Sequence, residues 1–447
     1  MQEFRLRKGL DLPVAGAPEQ TIHEGPEIKS VALVGPDYID LKPRITVAEG
    51  ESVVRGQPIF FHKDLPDVKM VSPVTGVVKA INRGARRVLE SVVIEVSDAA
   101  DQGVDFSQVG GEDTPEALAT KLCAAGLWTS FRTRPYSKVP EPTTRPTAIF
   151  VTAMDTEPLS PDAGVVIDGA RDAFERGLGA ISQLTEGTTY LCHETGADVP
   201  GSSLNGVKVA GFKGPHPAGL AGTHIHFLEP LKGDEPVWTI SYQDVIAIGQ
   251  LMMSGFIDPS RVIALSGPLV KKPRLVRTIA GASILDLTDG EYDTNVAVRF
   301  ISGSILSGRA ASDSLAYLGR YARQVTVIEE DKKQHVLGWI RPMAKNYAYQ
   351  PVLGSAFSKK LYSLTSNLNG GRRAMVPIGT FEELMPQDYL PTQLLRAMLV
   401  MDTDAAQALG ALELDEEDLG LVGFACPAKY EYGIALRDCL TKIEKEG

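Results

Sequence analysis

At 447 residues, the chain is long enough for two to four domains with a sizeable core. Its 45 Lys and Arg against 56 Asp and Glu give a net charge of −11, which excludes the broad basic surface of a nucleic-acid-binding protein. The four scattered cysteines form no Cys-x-x-Cys motif, so we expect free thiols in a reducing compartment. No signal-peptide core and no run of about 18 apolar residues occurs, so we expect no leader and no membrane span.

The N-terminal part is predicted to be a β-rich domain over residues 1–110. Between residues 45 and 98, short β-branched runs alternate with turn residues, which is typical of a small all-β unit. The order acid-Gly, Val-Val-x-Gly-Gln, Ser-Pro-x-x-Gly-x-Val resembles the barrel-sandwich fold of biotinyl and lipoyl carrier domains. Lys63 and Lys69 lie near the place of a carrier's modified lysine, but they lack its flanking residues, so we do not expect a modified lysine.

Residues 111–258 are predicted to form a Rossmann-like α/β domain with a mostly parallel sheet. A helix capped by Thr114 and stopped by Gly126 opens it. Strands and helices then alternate, with strands at 147–153, 188–192, 207–212, 237–240 and 261–265 and helices at 170–184 and 242–254. Neither a Gly-x-Gly-x-x-Gly nor a Walker loop accompanies them, so the usual phosphate-binding loops are missing.

The remainder is predicted to hold three further regions. Residues 259–312 resemble a small β-grasp insert, residues 313–390 form a mixed β region, and residues 391–447 form a helical C-terminal domain. In that last region we predict one helix over 392–410, another opened by the acids at 415–418, and a final helix over 434–446. The fold class is therefore multidomain α/β with a barrel-sandwich-like N-terminus and a helical C-terminus.

The most informative segment is residues 126–140. It holds the aromatics Trp128, Phe131 and Tyr136 and the cations Arg132, Arg134 and Lys138, without any acid. Aromatic rings beside guanidinium groups can stack a quinone or flavin ring and donate to its carbonyl oxygens. The alternative is a connector whose aromatics pack under the sheet and whose cations face water.

Three other segments each have more than one interpretation. His216, His224 and His226 lie in a Gly-rich stretch that could bind a metal from a strand edge or an anion in a backbone nest, or simply make hydrogen bonds. The acids at 415–418 could bind a cation, but a solvated helix N-terminus is favoured. Residues 369–373, Asn-Gly-Gly-Arg-Arg, could touch an acidic partner, but an exposed hairpin tip is favoured. No nucleophile elbow or Ser/His/Asp order indicates a hydrolase or transferase.

Several long motifs resemble one known family, the A-type subunits of the Na+-translocating NADH:quinone reductase. These motifs lie at residues 7–16, 126–140, 149–156, 214–224, 367–379 and 426–433, and the resemblance continues to the last residues of the chain. The family is similar to the NADH-binding flavoprotein of complex I and to the C-type subunit of the Rnf complex. Those relatives combine a Rossmann-like domain, a β-grasp (SLBB) domain and a helical C-terminus.

The resemblance implies a peripheral protein on the cytoplasmic face of the bacterial inner membrane, in a six-subunit complex that pumps sodium. It implies ubiquinone as a ligand, with the other five subunits, chiefly one in the membrane, as partners. FAD, FMN, riboflavin and the iron centres belong to those partners. The glycine loops and the cysteine cluster of the related flavoproteins are replaced here, so we expect no redox cofactor and no metal on this chain, and no catalysis by the chain alone.

From this we predict a quinone site lined by the side chains of residues 126–140. Its residues are Phe131, Arg132, Arg134, Tyr136 and Lys138, with Val34 and Gly35 of the loop at 31–37 as a weaker second candidate. Two alternatives remain: a purely structural protein that docks on the membrane partner, and a free-standing flavin- or nucleotide-binding oxidoreductase.

Overall fold

The first two strands of the chain were predicted as part of the N-terminal domain, but they pair with sheets of later domains. The computed structural model describes residues 2–97, 103–111, 114–233, 235–333, 346–350, 357 and 360–446. Strand β1 (Gln2–Arg5) pairs with the sheet of the α/β domain, and β2 (Glu19–Glu24) pairs with the sheet of the following domain. The first 24 residues therefore tie the N-terminus to the two later domains.

The N-terminal β unit comprises two small antiparallel sheets that share one core. Its strands are β3 (Ser30–Val34), β4 (Pro43–Ile45), β5 (Ser52–Val53), β6 (Pro58–His62), β7 (Leu65–Val71), β8 (Gly76–Arg83) and β9 (Leu89–Val96). The sheet orders are β3-β9-β8-β5 and β4-β6-β7. Their inward residues, among them Ile59, Phe60 and Val92, are fully buried, as alternating apolar runs require.

The α/β domain follows the predicted alternation closely. Its elements are α1 (Pro115–Ala124), β10 (Arg132–Arg134), β11 (Ala148–Ala153), α2 (Ala163–Asp168), α3 (Arg171–Ile181), β12 (Thr188–Glu194), β13 (Val207–Lys213), α4 (Ala221–Leu228), β14 (Val237–Ser241) and α5 (Tyr242–Ser254). The sheet order is β1-β13-β12-β11-β14-β10, parallel except for β10. Every residue of β11 is buried because both faces of the sheet are covered.

The chain reverses its direction across this sheet between β11 and β14. From β11 it proceeds outward through β12 to β13, and then crosses back to add β14 on the other side of β11. In open α/β sheets, ligands bind in the crevice at the carboxyl ends of the strands at such a switch point. This position is occupied by Thr152 at the end of β11 and Ser241 at the end of β14.

The third unit is a mixed sheet with one short helix. It contains β15 (Ser260–Ser266), β16 (Arg274–Ile279), α6 (Ile284–Thr288), β17 (Val298–Ser302), β18 (Arg309–Ala310) and β19 (Gln324–Glu329), in the order β18-β17-β19-β15-β16-β2. The interpretation that grouped 261–265 with the α/β strands is wrong, because β15 pairs with β16 and β19. Strand β19 comes from residues 313–390, which were predicted to be a separate mixed β region. Part of that region lies outside the described residues.

The C-terminal part is helical, as predicted, but one predicted helix is divided. The helices are α7 (Thr380–Leu384), α8 (Pro391–Leu399), α9 (Thr403–Ala408), α10 (Gly420–Ala425) and α11 (Tyr432–Glu446). The single helix predicted over 392–410 breaks at Met401, whose φ is +58°, and Asp402 then caps α9 by accepting from the Ala405 amide. An Asp stabilises a helix start better than a helix interior. Within the described residues, no helix is long and apolar enough to cross a membrane.

Two glycines set how closely α3 and α5 approach each other. A Cβ on Gly177 would lie 2.0 Å from the Val245 carbonyl oxygen, and one on Gly249 would lie 1.7 Å from that of Ala173. Neither contact is sterically allowed, so the two helices can cross at this distance only without side chains there.

We therefore expect Gly177→Ala to separate α3 from α5 and to lower the free energy of unfolding by about 1–3 kcal/mol. Gly179→Ala is the matched control in the same helix, since a Cβ there would meet only Leu204 methyl groups at 3.8 Å and 4.0 Å. The control should be neutral or stabilising by up to about 1 kcal/mol, because alanine favours helix over glycine. Urea denaturation of both variants checks this, and equal effects would contradict it.

Candidate functional site

The aromatic residues of segment 126–140 belong largely to the core. Trp128 and Phe131 are fully buried and meet Trp238 of β14, with ring centroids 5.4 Å apart in each pair. The Trp128 Nε1 donates to the Pro140 carbonyl at 2.8 Å, which satisfies the indole in the dry interior. Tyr136 is half-buried and packs against the C-terminal helices. The packed-connector alternative thus describes these rings, and Phe131 presents no free face for stacking.

The arginines of the same segment are paired with the C-terminal acids. The Arg132 Nη1 lies 3.0 Å from the Asp415 Oδ2, and the Arg134 Nη2 lies 3.2 Å from the same oxygen. Arg437 of α11 approaches the other oxygen at 3.5 Å, and its Nη1 donates to the Tyr136 carbonyl. We call this group of Arg132, Arg134, Arg437 and Asp415 the clasp, because it joins the α/β domain to the C-terminal helices.

The favoured interpretation of residues 415–418 as a solvated face is wrong for two of the four acids. Asp415 and Asp418 are buried, and the Asp415 amide donates to the Asp418 carboxylate in a capping box that opens the turn before α10. Burial pushes the pKa of Asp415 upward, but the charges of Arg134, Arg132 and Arg437 outweigh it and hold that pKa well below its usual range. Burial raises the pKa of Asp418 to about 8.

The other predicted site residues lie apart from the clasp or inside the fold. The Lys138 Nζ pairs with Asp40 at 3.1 Å and with Glu444 at 2.8 Å, so it also links the N-terminal and C-terminal domains. Val34 ends strand β3 and is buried, and Gly35 packs directly against the Leu89 backbone. The structure thus brings Arg132 and Arg134 together and leaves Val34 and Gly35 under the barrel surface. As quinone ligands, all seven residues stay a prediction.

A narrow crevice of about 40 Å³ opens at the switch point of the sheet. It is lined by Ser130, Arg132, Thr152, Gly219, Leu220, Ala221, Thr239, Ile240, Ser241, Asp244, Tyr321, Arg323 and Glu417. Arg132 is thus shared between the clasp and the crevice. Thr152 lines the crevice, and its buried Oγ1 has no hydrogen-bond partner among the described residues. A crevice of this size holds about two or three water molecules, whereas drug-sized ligands occupy about 300 Å³ or more.

Tyr321 and Arg323 of the third domain line this crevice, next to Arg320, and none of the three was predicted from the sequence. The Arg320 Nη1 lies 2.8 Å from the Asp244 carboxylate, and the Arg323 Nε lies 2.7 Å from that of Asp155. Tyr321 lies between two guanidinium groups, with Arg132 at 4.9 Å and Arg320 at 5.5 Å from its ring centroid. The run Arg-Tyr-Ala-Arg before β19 was a visible signal, since it repeats the mixture of cations and aromatics seen at 126–140.

The charges around the crevice are closely balanced. Burial raises the pKa of Asp244, but Arg320 and Arg261 reverse that effect and lower it overall. Burial and the charge of Asp155 raise the pKa of Glu157 to about 7, and its oxygens accept from Ser304 and Ser307 at 2.6 Å and 2.7 Å. A larger groove of about 660 Å³ beside β12 and β13 has Lys208 as the charged residue in its lining and offers less chemistry.

The histidines of the Gly-rich stretch act separately. His224 and His226 lie on helix α4 and not on a strand edge, so that part of the metal hypothesis is wrong. The His224 ring contacts the Ala218 carbonyl at 3.0 Å, His226 pairs with Glu413, and His216 contacts the Thr156 hydroxyl. Among the described residues, no group of three potential ligands converges on one point. The hydrogen-bonding interpretation accounts for all three.

Removing the Asp415 charge should uncouple the C-terminal helices. We expect Asp415→Asn to lower the free energy of unfolding by about 3 kcal/mol near neutral pH, because Arg132 and Arg134 lose their nearest carboxylate and Arg437 keeps only Glu416. Asp404→Asn is the matched control, since Asp404 lies exposed in the first turn of α9. It should change stability by about 0.5 kcal/mol or less.

The pH dependence of the unfolding free energy provides a second comparison of wild type with Asp415→Asn. The folded pKa of Asp415 lies below its ordinary value of 3.8, so its contribution is present above that pH and is lost as the pH falls below it. The stability difference between wild type and Asp415→Asn should therefore stay constant from about pH 7 to 5 and narrow below about pH 4. Urea titrations at stepped pH measure it, and a difference that widens in acid would contradict the assignment.

Comparison with protein families divides the chain in agreement with the fold. Residues 4–97 match the model described as the NqrA N-terminal barrel-sandwich hybrid domain, residues 114–257 the NqrA second alpha/beta domain, and residues 262–313 the NQRA C-terminal domain. The barrel-sandwich and α/β interpretations are thus confirmed. Among solved structures, an NAD+-reducing [NiFe]-hydrogenase in the H2-reduced state shares 13% identity at a TM-score of 0.36, over 51% of this chain and 49% of that one, which is too weak to argue from.

Curated relatives match from end to end. Proteins named as the A-type subunit of a Na(+)-translocating NADH-quinone reductase are 50% identical in Pasteurella multocida, 48% in Rhodopirellula baltica and 49% in Neisseria gonorrhoeae. Each match covers 99% of this chain and 98% or more of the relative. Because identity near 50% extends over nearly the whole of both chains, the chain belongs to the NqrA family, the A-type subunits of the Na+-translocating NADH-quinone reductases.

Proposed function

We propose that the chain is a peripheral subunit of a Na+-pumping NADH:ubiquinone oxidoreductase, held at the cytoplasmic face of the bacterial inner membrane by a membrane-embedded partner. The observation that carries this is the similarity, near 50% identity over the whole length, to relatives that are named as the A-type subunit of such a reductase. In this proposal, the redox cofactors are bound by the partner subunits, and the isolated chain does not catalyse the reaction.

Within that complex, the chain contributes to ubiquinone binding at the switch-point crevice. Arg132 and Arg323 place guanidinium groups there, Thr152 adds an unpartnered hydroxyl, and Tyr321 adds an aromatic ring. Such donors suit the carbonyl oxygens of a quinone. These oxygens gain negative charge when the quinone is reduced, and nearby cations stabilise that charge. Because the crevice measures about 40 Å³, it admits a carbonyl edge while the ring stays at the mouth.

A purely structural role is the second candidate, and a specific observation favours it. Arg134 is fully buried and paired with Asp415, and Lys138 is paired with Asp40 and Glu444. Side chains that already bind carboxylates of the same chain have little capacity left for a ligand. On this alternative, segment 126–140 serves only to hold the domains in register for docking.

A quinone titration with a matched pair of variants separates the two roles. If the crevice binds the quinone, Thr152→Val should weaken the binding of a short-chain ubiquinone about tenfold, because one hydrogen-bond donor is lost. Thr189→Val is the control, since Thr189 also has a buried hydroxyl without a partner among the described residues and lies on the neighbouring strand β12, outside the crevice. It should leave the affinity unchanged, and both variants should remain folded because neither substitution breaks a hydrogen bond within the described part of the chain.

Isothermal titration of the full-length chain provides the readout. Saturable binding that Thr152→Val weakens supports the crevice, and saturable binding that it leaves unchanged contradicts that location. The absence of saturable binding by wild type supports the structural role. A visible flavin spectrum in the purified chain would instead favour the free-standing oxidoreductase, and failure of the tagged chain to co-purify with a sodium-dependent NADH:quinone reductase would overturn its membership of the complex.

A further inference from the structure

Residues 367–379 form a largely exposed segment without regular secondary structure, which we call the strap. The sequence favoured a hairpin tip at 369–373, but no β-ladder flanks it among the described residues, so that interpretation is wrong. The side chains of Leu368, Val376 and Ile378 are between 54% and 65% exposed. Three large aliphatic side chains this open to water within one short segment indicate a contact surface rather than a solvated loop.

The strap is nevertheless fixed to the body of the protein. Met375 packs against the core of the C-terminal helices, and the Arg373 amide donates to the Ala428 carbonyl at 3.0 Å. At its start, the Asn367 side-chain amide donates to the Lys333 carbonyl at 2.6 Å. These anchors hold one side of the strap against the helices and leave its remaining side chains outward.

The charge of the strap opposes that of the whole chain. It carries Arg372 and Arg373 and no acid, whereas the protein has a net charge of −11. Both arginines are exposed, and neither pairs with an acid in the part of the chain that the structure describes. Arg132 and Arg134, by contrast, are bound to Asp415. The strap therefore presents arginines, which are enriched where proteins meet, beside exposed aliphatic groups.

Two other occupants fit the strap less well. An anionic bilayer repels a body of charge −11, and two arginines offset little of that repulsion. A second copy of the chain, bound through the same patch, would bring both arginine pairs and no strap acid into one interface, because a two-fold interface uses the same patch on both copies. A different protein surface that carries carboxylates beside apolar groups avoids both costs.

We propose that the strap is the docking surface for the membrane-embedded partner of the complex, on a face of that partner that presents aliphatic side chains beside carboxylates. This inference rests on the proposed function, since it names the surface through which the peripheral protein attaches. Apolar contact through the aliphatic side chains supplies affinity, and the arginines set orientation against the partner's acids.

The test uses the assembled complex, purified through a tag on a membrane-embedded partner from cells that express variants of this chain. We expect the triple variant Leu368→Ser, Val376→Ser, Ile378→Ser and the double variant Arg372→Glu, Arg373→Glu each to reduce the co-purified chain at least about tenfold. The matched apolar control is Val88→Ser, Met253→Ser, Leu285→Ser, at residues that are 57–61% exposed in the other domains. The matched charge control is Lys232→Glu, Lys272→Glu, at exposed positions.

Thermal unfolding of each isolated variant shows whether it is folded. We expect the midpoint of thermal unfolding to stay unchanged, because the substituted positions are exposed. Full recovery of both folded strap variants, or equal loss in the controls, overturns the docking surface. Strap-dependent binding of the isolated chain to anionic vesicles would show that the strap contacts a bilayer, and strap-dependent dimerisation would show that it contacts a second copy. Either result would also overturn the proposed docking surface. If wild type itself fails to co-purify, the proposed function fails, which is a different outcome from loss in the strap variants alone.

Discussion

The arrangement of the domains depends on one carboxylate, that of Asp415, and the guanidinium groups that surround it. Arg132 and Arg134 come from the edge strand of the α/β sheet, and Arg437 comes from the last helix. Buried charges persist only when they are paired with good geometry, so the position of each arginine requires the acid and the acid requires the arginines. The C-terminal helices consequently have one stable place on the α/β domain.

This constraint also shapes the crevice. Glu417 follows Asp415 by two residues and lines the crevice opposite Arg132 and Arg323, so the clasp brings an acid to the switch point of the sheet. Arg323 reaches the crevice from the segment before β19 and pairs with Asp155, and Arg320 of the same segment pairs with Asp244 of the crevice lining. Three domains therefore meet where a nucleotide-binding sheet would hold its ligand, and their ion pairs fill most of that space.

Local features of the sequence predicted much of this fold. The Thr114 cap, the Gly126 stop and the helix over 242–254 agree with α1 and α5 because short-range capping and periodicity determine them. The buried strand β11 was visible as a run that is apolar except for Thr152. The break between α8 and α9 was missed because Asp402 competes with a continuous apolar periodicity.

Ion pairs and strand pairings between distant parts of the chain could not be predicted from local sequence features. Arg134 and Asp415 are 281 residues apart, and each segment alone has an ordinary interpretation as a basic connector or an acidic helix start. Only the packing of the C-terminal helices shows that they neutralise each other. The pairing of β1 and β2 with distant sheets was missed for the same reason, because short exposed strands carry no local sign of their partner.

A double-mutant cycle on Arg134→Gln and Asp415→Asn tests the clasp most directly. Unfolding free energies of wild type, both single variants and the double variant yield the coupling between the two side chains. We expect a coupling of about 2–3 kcal/mol, since removal of either partner leaves a buried charge that removal of both does not. Additive effects within about 0.5 kcal/mol would show that the pair does not hold the domains together.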